Sequence, residues 1–307
     1  MPGAMKASVL PDRSVVAIGG PDRIKFLQGL MTNDIRRLTP DRALYSGFLT
    51  GQGKLLHDAF LIQDGDRILV DIAAGFAEDF VKRMTAFKLR AAVEIGETAP
   101  TYAVAVAWGA AAAARLELDE AEGMVSTRLV AEPHYAFIDP RTAALGARLV
   151  HPASYPIETE LGRLGFARAS TADYAAHRLT LGIADTAEIG GEVLYPLEAN
   201  FELLHGVDFK KGCYVGQELT ARMKLRGELR KRILPVSGAT VLPAAGTEVT
   251  ANRTRLGPLI ATSGTQGLAL LRLDHLADAK AGAILAGEVP LSVRWPSWLQ
   301  PAEGRRV

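Results

Sequence analysis

An α+β fold with mainly antiparallel sheet, closed off by a small C-terminal β-barrel, is what this 307-residue sequence predicts. In the first half, short strand patterns alternate with helical ones and are joined by hairpin turns, not by the long crossovers that a parallel sheet needs. Gly51-Gln52-Gly53 separates two apolar runs of strand length, a hairpin signal. From about Leu229 the character changes to short β-rich runs punctuated by Gly and Pro, the pattern of a barrel.

In chain order, Ser14 to Ile18 reads as a strand. Asp22 follows as an N-cap for a helix whose apolar Ile24, Leu27 and Met31 share one face. Ala43 to Leu49 and Leu55 to Ile62 form the hairpin, Asp64-Gly65-Asp66 the next turn and Arg67 to Ile72 the next strand. Glu78 to Leu89 has helical spacing through Phe80, Met84 and Phe87, and Thr101 to Trp108 alternates as a strand. Gly109 to Arg115 and the acidic Glu117 to Glu122 read as a surface helix and loop. Thr171 to Leu181 is a helix, and Gly191 to Leu197 is strand-like. Ile233 to Val236, Leu259 to Thr262, Leu268 to Leu273 and Leu291 to Trp295 supply the barrel. The domain division expected is residues 1–228 as an α+β region and 229–307 as the barrel.

Composition narrows the class. With 48% apolar and 22% charged residues the chain is a folded globular protein. A net charge of +1 makes no global case for nucleic acid or an anionic membrane. No apolar stretch reaches the about 20 residues of a membrane span. One cysteine rules out an internal disulfide framework. Met1 to Arg13 shows neither a signal-peptide core nor an arginine-rich amphipathic leader, so a soluble protein of a reducing bacterial cytoplasm is expected.

That cysteine, Cys213, lies in Lys210-Lys211-Gly212-Cys213-Tyr214-Val215-Gly216-Gln217-Glu218. Flanking cations favour a thiolate, and the glycines allow tight turns or close backbone approach. Glu218 to Met223 reads as a helix opening behind it. A small buried hydrophobe is the commonest fate of a free Cys, but charge on both sides argues for access. Lys210, Lys211, Arg222, Lys224, Arg226, Arg230, Lys231 and Arg232 face only Glu218 and Glu228, so the region suits a negative ligand, although a solvated helix end reads the same way. Aromatic residues do not interleave with these cations beyond Tyr214, so nucleic acid is not expected as a partner. The six histidines form no zinc-type pair, and Walker, GxSxG and dinucleotide motifs are missing.

Pro196-Leu197-Glu198-Ala199-Asn200, Leu204-His205-Gly206-Val207 and Lys211 to Arg222 together resemble the signature of the YgfZ family, and within it a mitochondrial branch. Weaker similarity covers Phe26 to Asp34 and Gly267 to Arg272, while residues 105–165 are not recognisable in detail. The resemblance implies a folate-binding protein of iron–sulfur cluster assembly or repair. It also implies kinship with the glycine-cleavage T-protein, an aminomethyltransferase whose matching motif usually has Asp where this chain has Cys213. From the same kinship come a ring of three modules around a central cavity and a pterin contact for Glu198, whose carboxylate can accept paired hydrogen bonds. Asn200, Arg178, Lys211, Tyr214 and Arg222 are further candidates for holding tetrahydrofolate. Asn33-Asp34 serves equally well as a helix-terminating turn. A cluster needs four ligands, usually thiolates, so Cys213 would share one with a partner, an iron–sulfur carrier or client protein. The alternative is a folate-dependent aminomethyltransferase or demethylase. Cys213 in place of Asp argues against it, because a thiolate is a soft metal ligand.

Overall fold

The computed structural model describes residues 4–97, 101–126, 134–227, 229–277, 279 and 284–299. Glu228, one member of the charged region above, lies outside the described residues, as does the boundary expected there.

Among the described residues the strands form two sheets and a barrel. The first sheet contains β1 (Lys6–Val9), β7 (Tyr102–Trp108), β8 (Val125–Ser126), β9 (Tyr135–Ile138), β10 (Ala147–Pro152) and β11 (Ala167–Arg168), in the order β11-β1-β7-β10-β9-β8. β11 runs parallel to β1, and the other neighbours are antiparallel. The second sheet contains β2 (Arg13–Gly19), β3 (Leu44–Leu49), β4 (Leu55–Asp64), β5 (Arg67–Ala73) and β6 (Glu94–Glu97), ordered β3-β4-β5-β2-β6 and antiparallel throughout. β12 (Lys231–Gly238), β13 (Glu248–Ala251), β14 (Thr254–Ser263), β15 (Gln266–Arg272), β16 (Ile284–Ala286) and β17 (Val289–Val293) close into a six-stranded barrel. The helices are α1 (Arg23–Gln28), α2 (Ala74–Lys88), α3 (Ala112–Arg115), α4 (Ile157–Arg163), α5 (Thr171–Leu181), α6 (Thr186–Ile189), α7 (Gln217–Arg226) and α8 (Leu273–Ala277). The α+β class with mainly antiparallel sheet and a terminal barrel is therefore what the sequence forms.

Burial explains the strand sequences. β4 and β5 are buried almost end to end because both of their faces are covered. On one face, Ile18, Leu61 and Val70 pack with Leu27 of α1 and with Phe80 and Met84 of α2. On the other, Val15, Phe60 and Leu69 meet Val104, Val106, Phe137 and Val150 of the first sheet. α5 begins in a capping box, with Ser170 and Asp173 each bonding the other's backbone N–H, and ends at Gly182 with φ +80°. Its C-terminal end seats the barrel: Arg294 donates to Thr180 O at 3.0 Å and the Trp298 indole to Leu181 O at 3.0 Å.

Several expectations change. No strand forms over 191–197; Gly191 and Glu192 take positive φ, Pro196 has no N–H to donate, and the segment runs in turns. Asp22 does not cap α1 with its side chain but accepts the Ala92 N–H at 2.8 Å, tying the helix start to the chain entering β6. Ile24 and Phe87 are partly exposed, so the apolar faces of α1 and α2 are narrower than their spacing implies.

Where the two sheets meet α5 and α6, the interior is ionic. Asp71 on β5 accepts Arg13 Nε at 2.7 Å and Arg148 Nη2 at 2.6 Å, and all three side chains are buried. Asp139 accepts Arg141 at 2.8 Å, and the guanidinium groups of Arg141 and Arg148 lie 4.9 Å and 3.9 Å from the centre of the Phe60 ring. Asp58 accepts the hydroxyls of Tyr45 and Thr186, and burial, reinforced by the Asp185 charge, raises its carboxyl above the usual carboxylate range.

Candidate functional site

The two stretches of sequence singled out above, 26–34 and 204–222, are laced together. Gln28 Nε2 donates to Lys211 O at 3.0 Å, and Val215 N–H to Gly29 O at 3.0 Å. Thr32 Oγ1 donates to Gly206 O at 2.6 Å, and Asn33 Nδ2 to His205 O at 2.7 Å. Asp208 N–H returns to Thr32 O at 3.0 Å. The segment after α1 therefore forms the bed on which the cysteine loop lies. Asn33 and Asp34 belong to that bed as turn residues: Asp34 is held by Arg36, whose side-chain hydrogen bonds lower its carboxyl to about 2.

Within the loop the side chains divide into anchors and a free group. Lys211 is buried, and its ammonium donates to Gln28 O at 2.8 Å and to Met31 O, capping the carbonyl end of α1. The same ammonium lies 4.8 Å from the centre of the Tyr214 ring. Tyr214 is packed in the core, and burial pushes its phenol up to about 12. Its N–H donates to Gln217 Oε1 at 3.2 Å, which ties the loop to the first turn of α7. Gly216, with φ +78°, closes against the hairpin between β3 and β4. Between these anchors, Gly212 and Cys213 are exposed.

Burial pulls the Lys211 ammonium down to about 8, with Asp34 and Asp208 opposing the fall. The folded protein then releases this proton near pH 8 and the unfolded chain near 10.5, so between those values the unfolded state binds more protons. Stability contributed by this group should rise with pH across that window. Lys211→Met should flatten that rise in urea midpoints measured from neutral to alkaline pH; an unaltered slope would show that the lysine is not held as described.

The other predicted residues are placed as follows. Arg178, on α5, is buried and donates to Ile183 O at 2.6 Å and Glu188 Oε1 at 2.8 Å. Asn200 has φ +64°, donates to Ile233 O at 2.9 Å and accepts Arg232 at 2.6 Å, so it splices the turn to β12. Arg222 is exposed and pairs with Glu218 at 2.8 Å on α7. Glu198 is half-buried; its Oε2 accepts the Tyr195 N–H at 3.0 Å, and its Oε1 takes no hydrogen bond among the described residues. As a test of fit for a folate, Glu198 keeps a free acceptor for an amino-pyrimidine edge, whereas Arg178, Asn200 and Lys211 are committed to protein partners. Among the described residues no group of three or more His, Cys, Asp or Glu gathers to hold a metal ion, and no helix is long and apolar enough to cross a membrane.

Sequence reasoning missed Gln28 and Thr32 as fasteners of the loop. Their only signal was the Phe26 to Asp34 similarity, which carried no role for either side chain.

The pattern of the CAF17 C-terminal beta-barrel domain matches residues 230–301. The chain is 36% identical to the "Iron-sulfur cluster assembly factor IBA57 homolog, mitochondrial" of Mycosarcoma maydis, over 76% of this chain and 57% of that protein. It thus spans little more than half the length of that relative. It is 32% identical to the homolog of Aspergillus fumigatus, over 96% of this chain and 76% of that one. It is also 32% identical to the human iron–sulfur cluster assembly factor IBA57, over 94% of this chain and 84% of the human protein. In fold it is similar to the glycine cleavage system aminomethyltransferase T from Bartonella henselae, with a TM-score of 0.76 over 95% of this chain and 85% of that one, at 16% identity. These relatives fit the mitochondrial branch of the resemblance and not its bacterial namesake. They also overturn the cytoplasmic expectation: their names place them in the mitochondrion. A near-neutral charge and one thiol suit any reducing compartment, so composition was never able to choose between the two.

Proposed function

We propose a function from the premise that the chain belongs to the IBA57 family of iron–sulfur cluster assembly factors. Cys213 offers one soft ligand to a cluster whose remaining ligands belong to a carrier or client protein. The observation that supports this reading is the exposure of the chain's single thiol on a loop whose neighbouring residues are fastened to the core. One thiolate can fill only one of the four positions around a cluster, so the cluster is cargo passed between two proteins. A rigid loop keeps the sulfur presented without an ordering cost at each encounter.

Tetrahydrofolate, where bound, would supply a reduced one-carbon carrier, and Glu198 is the residue that would hold its pterin edge. Aminomethyl transfer is the weaker reading, because the position that carries Asp in that branch here carries a soft sulfur ligand.

Complementation of a strain lacking the gene tests the proposal. Cys213→Ser should fold normally and keep its affinity for tetrahydrofolate, while the activity of a [4Fe–4S] enzyme falls to the level of the deletion. Serine keeps a hydroxyl but is almost never deprotonated at neutral pH. Glu198→Ala should lose folate affinity in a direct titration. Full rescue of the cluster enzyme by Cys213→Ser would end the thiolate proposal, and a specific defect in growth on glycine would favour the transferase reading.

A further inference from the structure

We propose that the outer face of α7 is the docking surface for an acidic iron–sulfur carrier protein, placed so that a bound carrier meets Cys213. This inference rests on the shared-cluster reading above and adds to it the surface and the chemistry of the partner. α7 buries Thr220 against the core. Its outward side carries two rows at four-residue spacing, Gln217-Ala221-Leu225 and Glu218-Arg222-Arg226, which flank a shallow, open groove along the helix. Leu225 is 87% exposed, an unusual position for a leucine on a helix that could have buried it. Phe209, 43% exposed, lies beside the helix with the Lys224 ammonium 5.4 Å from its ring centre.

Charge selects the occupant. Lys210, Lys224, Arg226 and Arg230 are exposed and make no ion pair among the described residues, and the one carboxylate in the groove, Glu218, is already paired with Arg222. An acidic protein face around an apolar contact to Leu225 complements this surface. A second copy of this chain does not, because a two-fold interface would set the same cations against each other. Single-stranded RNA fits less well, because Phe209, the exposed aromatic ring beside α7, sits under a lysine and leaves no stacking platform. At its N-terminal end the row that holds Ala221 and Leu225 begins with Gln217, whose Oε1 accepts the N–H of Tyr214, the residue after Cys213. A partner lying along the row therefore approaches the thiol.

The probe is a purified carrier that holds a [2Fe–2S] cluster on its own cysteines and has an isoelectric point below about 5. Binding to the full chain should weaken about tenfold or more with Leu225→Asp, and likewise with the Lys224→Glu, Arg226→Glu pair. Wild-type binding should also weaken as salt rises from about 0.05 M to about 0.3 M. Circular dichroism should show all of these variants folded, since the altered side chains are exposed. Cys213→Ser should still bind the carrier but lose the absorption change of the shared cluster. If the helix variants bind like wild type while Cys213→Ser loses the shared cluster, the docking surface is wrong and the proposed function stands. If Cys213→Ser forms the shared cluster while Leu225→Asp abolishes binding, the thiolate role is wrong and the docking surface stands. Tighter binding of a mixed-sequence RNA that displaces the carrier, or a wild-type dimer that Leu225→Asp dissociates, would overturn the assignment to a carrier.

Discussion

Asp71→Ala should destabilise the fold by about 3–5 kcal/mol, a large share of the total stability of a typical domain. Asp71 is fully buried and neutralises two guanidinium groups at once, Arg13 from its own sheet and Arg148 from the facing one. Removing it leaves two buried cations whose nearest other carboxylates are more distant, Asp185 at 3.6 Å from Arg13 and Asp139 at 4.0 Å from Arg148. Those contacts soften the loss without replacing the hydrogen bonds that satisfied Arg13 Nε and Arg148 Nη2. The control is Arg83→Ala, which breaks a part-exposed i,i+4 pair with Asp79 on α2 and should cost under about 1 kcal/mol. Urea unfolding followed by near-ultraviolet circular dichroism separates the two. Equal, small shifts would mean that water reaches the Arg13–Asp71–Arg148 cluster and screens it.

Parts of this architecture were legible from local signals. The β3–β4 hairpin followed from two apolar runs around Gly51-Gln52-Gly53, α2 from its spacing, and several barrel strands from Gly and Pro punctuation. What escaped was set by tertiary context. Gly191 to Leu197 has strand composition but packs as turns against the start of β4, where Leu55 N–H donates to Leu194 O at 2.8 Å. The ionic interior left a trace in the sequence: Asp58, Asp71 and Arg148 each sit beside apolar residues within a strand, where a buried charge must find a partner. At the candidate site, residue type identified the region but not the direction of each side chain. Lys210 and Lys211 are adjacent in sequence, yet one is exposed and the other caps α1 from inside, so the thiol has one neighbouring lysine in solvent, not two. Arg178 and Asn200 likewise read as ligand contacts in sequence because their partners, Glu188 and Ile233, are fixed only once the chain has folded.

Gly216→Ala should do more harm than any other single-methyl change in the cysteine loop, and a comparison with Gly212→Ala isolates the reason. Both glycines have left-handed backbone, φ +78° and φ +92°, so an alanine at either costs about 1–2 kcal/mol in conformation alone. At Gly212 nothing lies within 4 Å of the new methyl group, and the cost ends there. At Gly216 the methyl would run into Thr50 O and come within 2.9 Å of Leu49 Cβ and 3.1 Å of Gly53 Cα, backbone and β-carbon atoms that cannot rotate away. Gly53 is itself at φ +79°, and a methyl group there would meet Gly216 O at 2.9 Å, so the hairpin and the start of α7 depend on each other's glycines for their approach. The overlap can be relieved only by lifting α7 off the hairpin, which strains the Tyr214–Gln217 hydrogen bond and the Val215–Gly29 bond on either side of Gly216. Gly216→Ala should therefore lower stability by about 3 kcal/mol or more, with faster alkylation of Cys213 as its loop loosens. Gly212→Ala should lower stability by only about 1–2 kcal/mol and leave the core packing of Tyr214 intact. Urea midpoints and alkylation rates measured on the same samples decide the matter: equal losses in the two variants would mean that α7 is not held against the hairpin, and that the thiol is presented by a loop free to move.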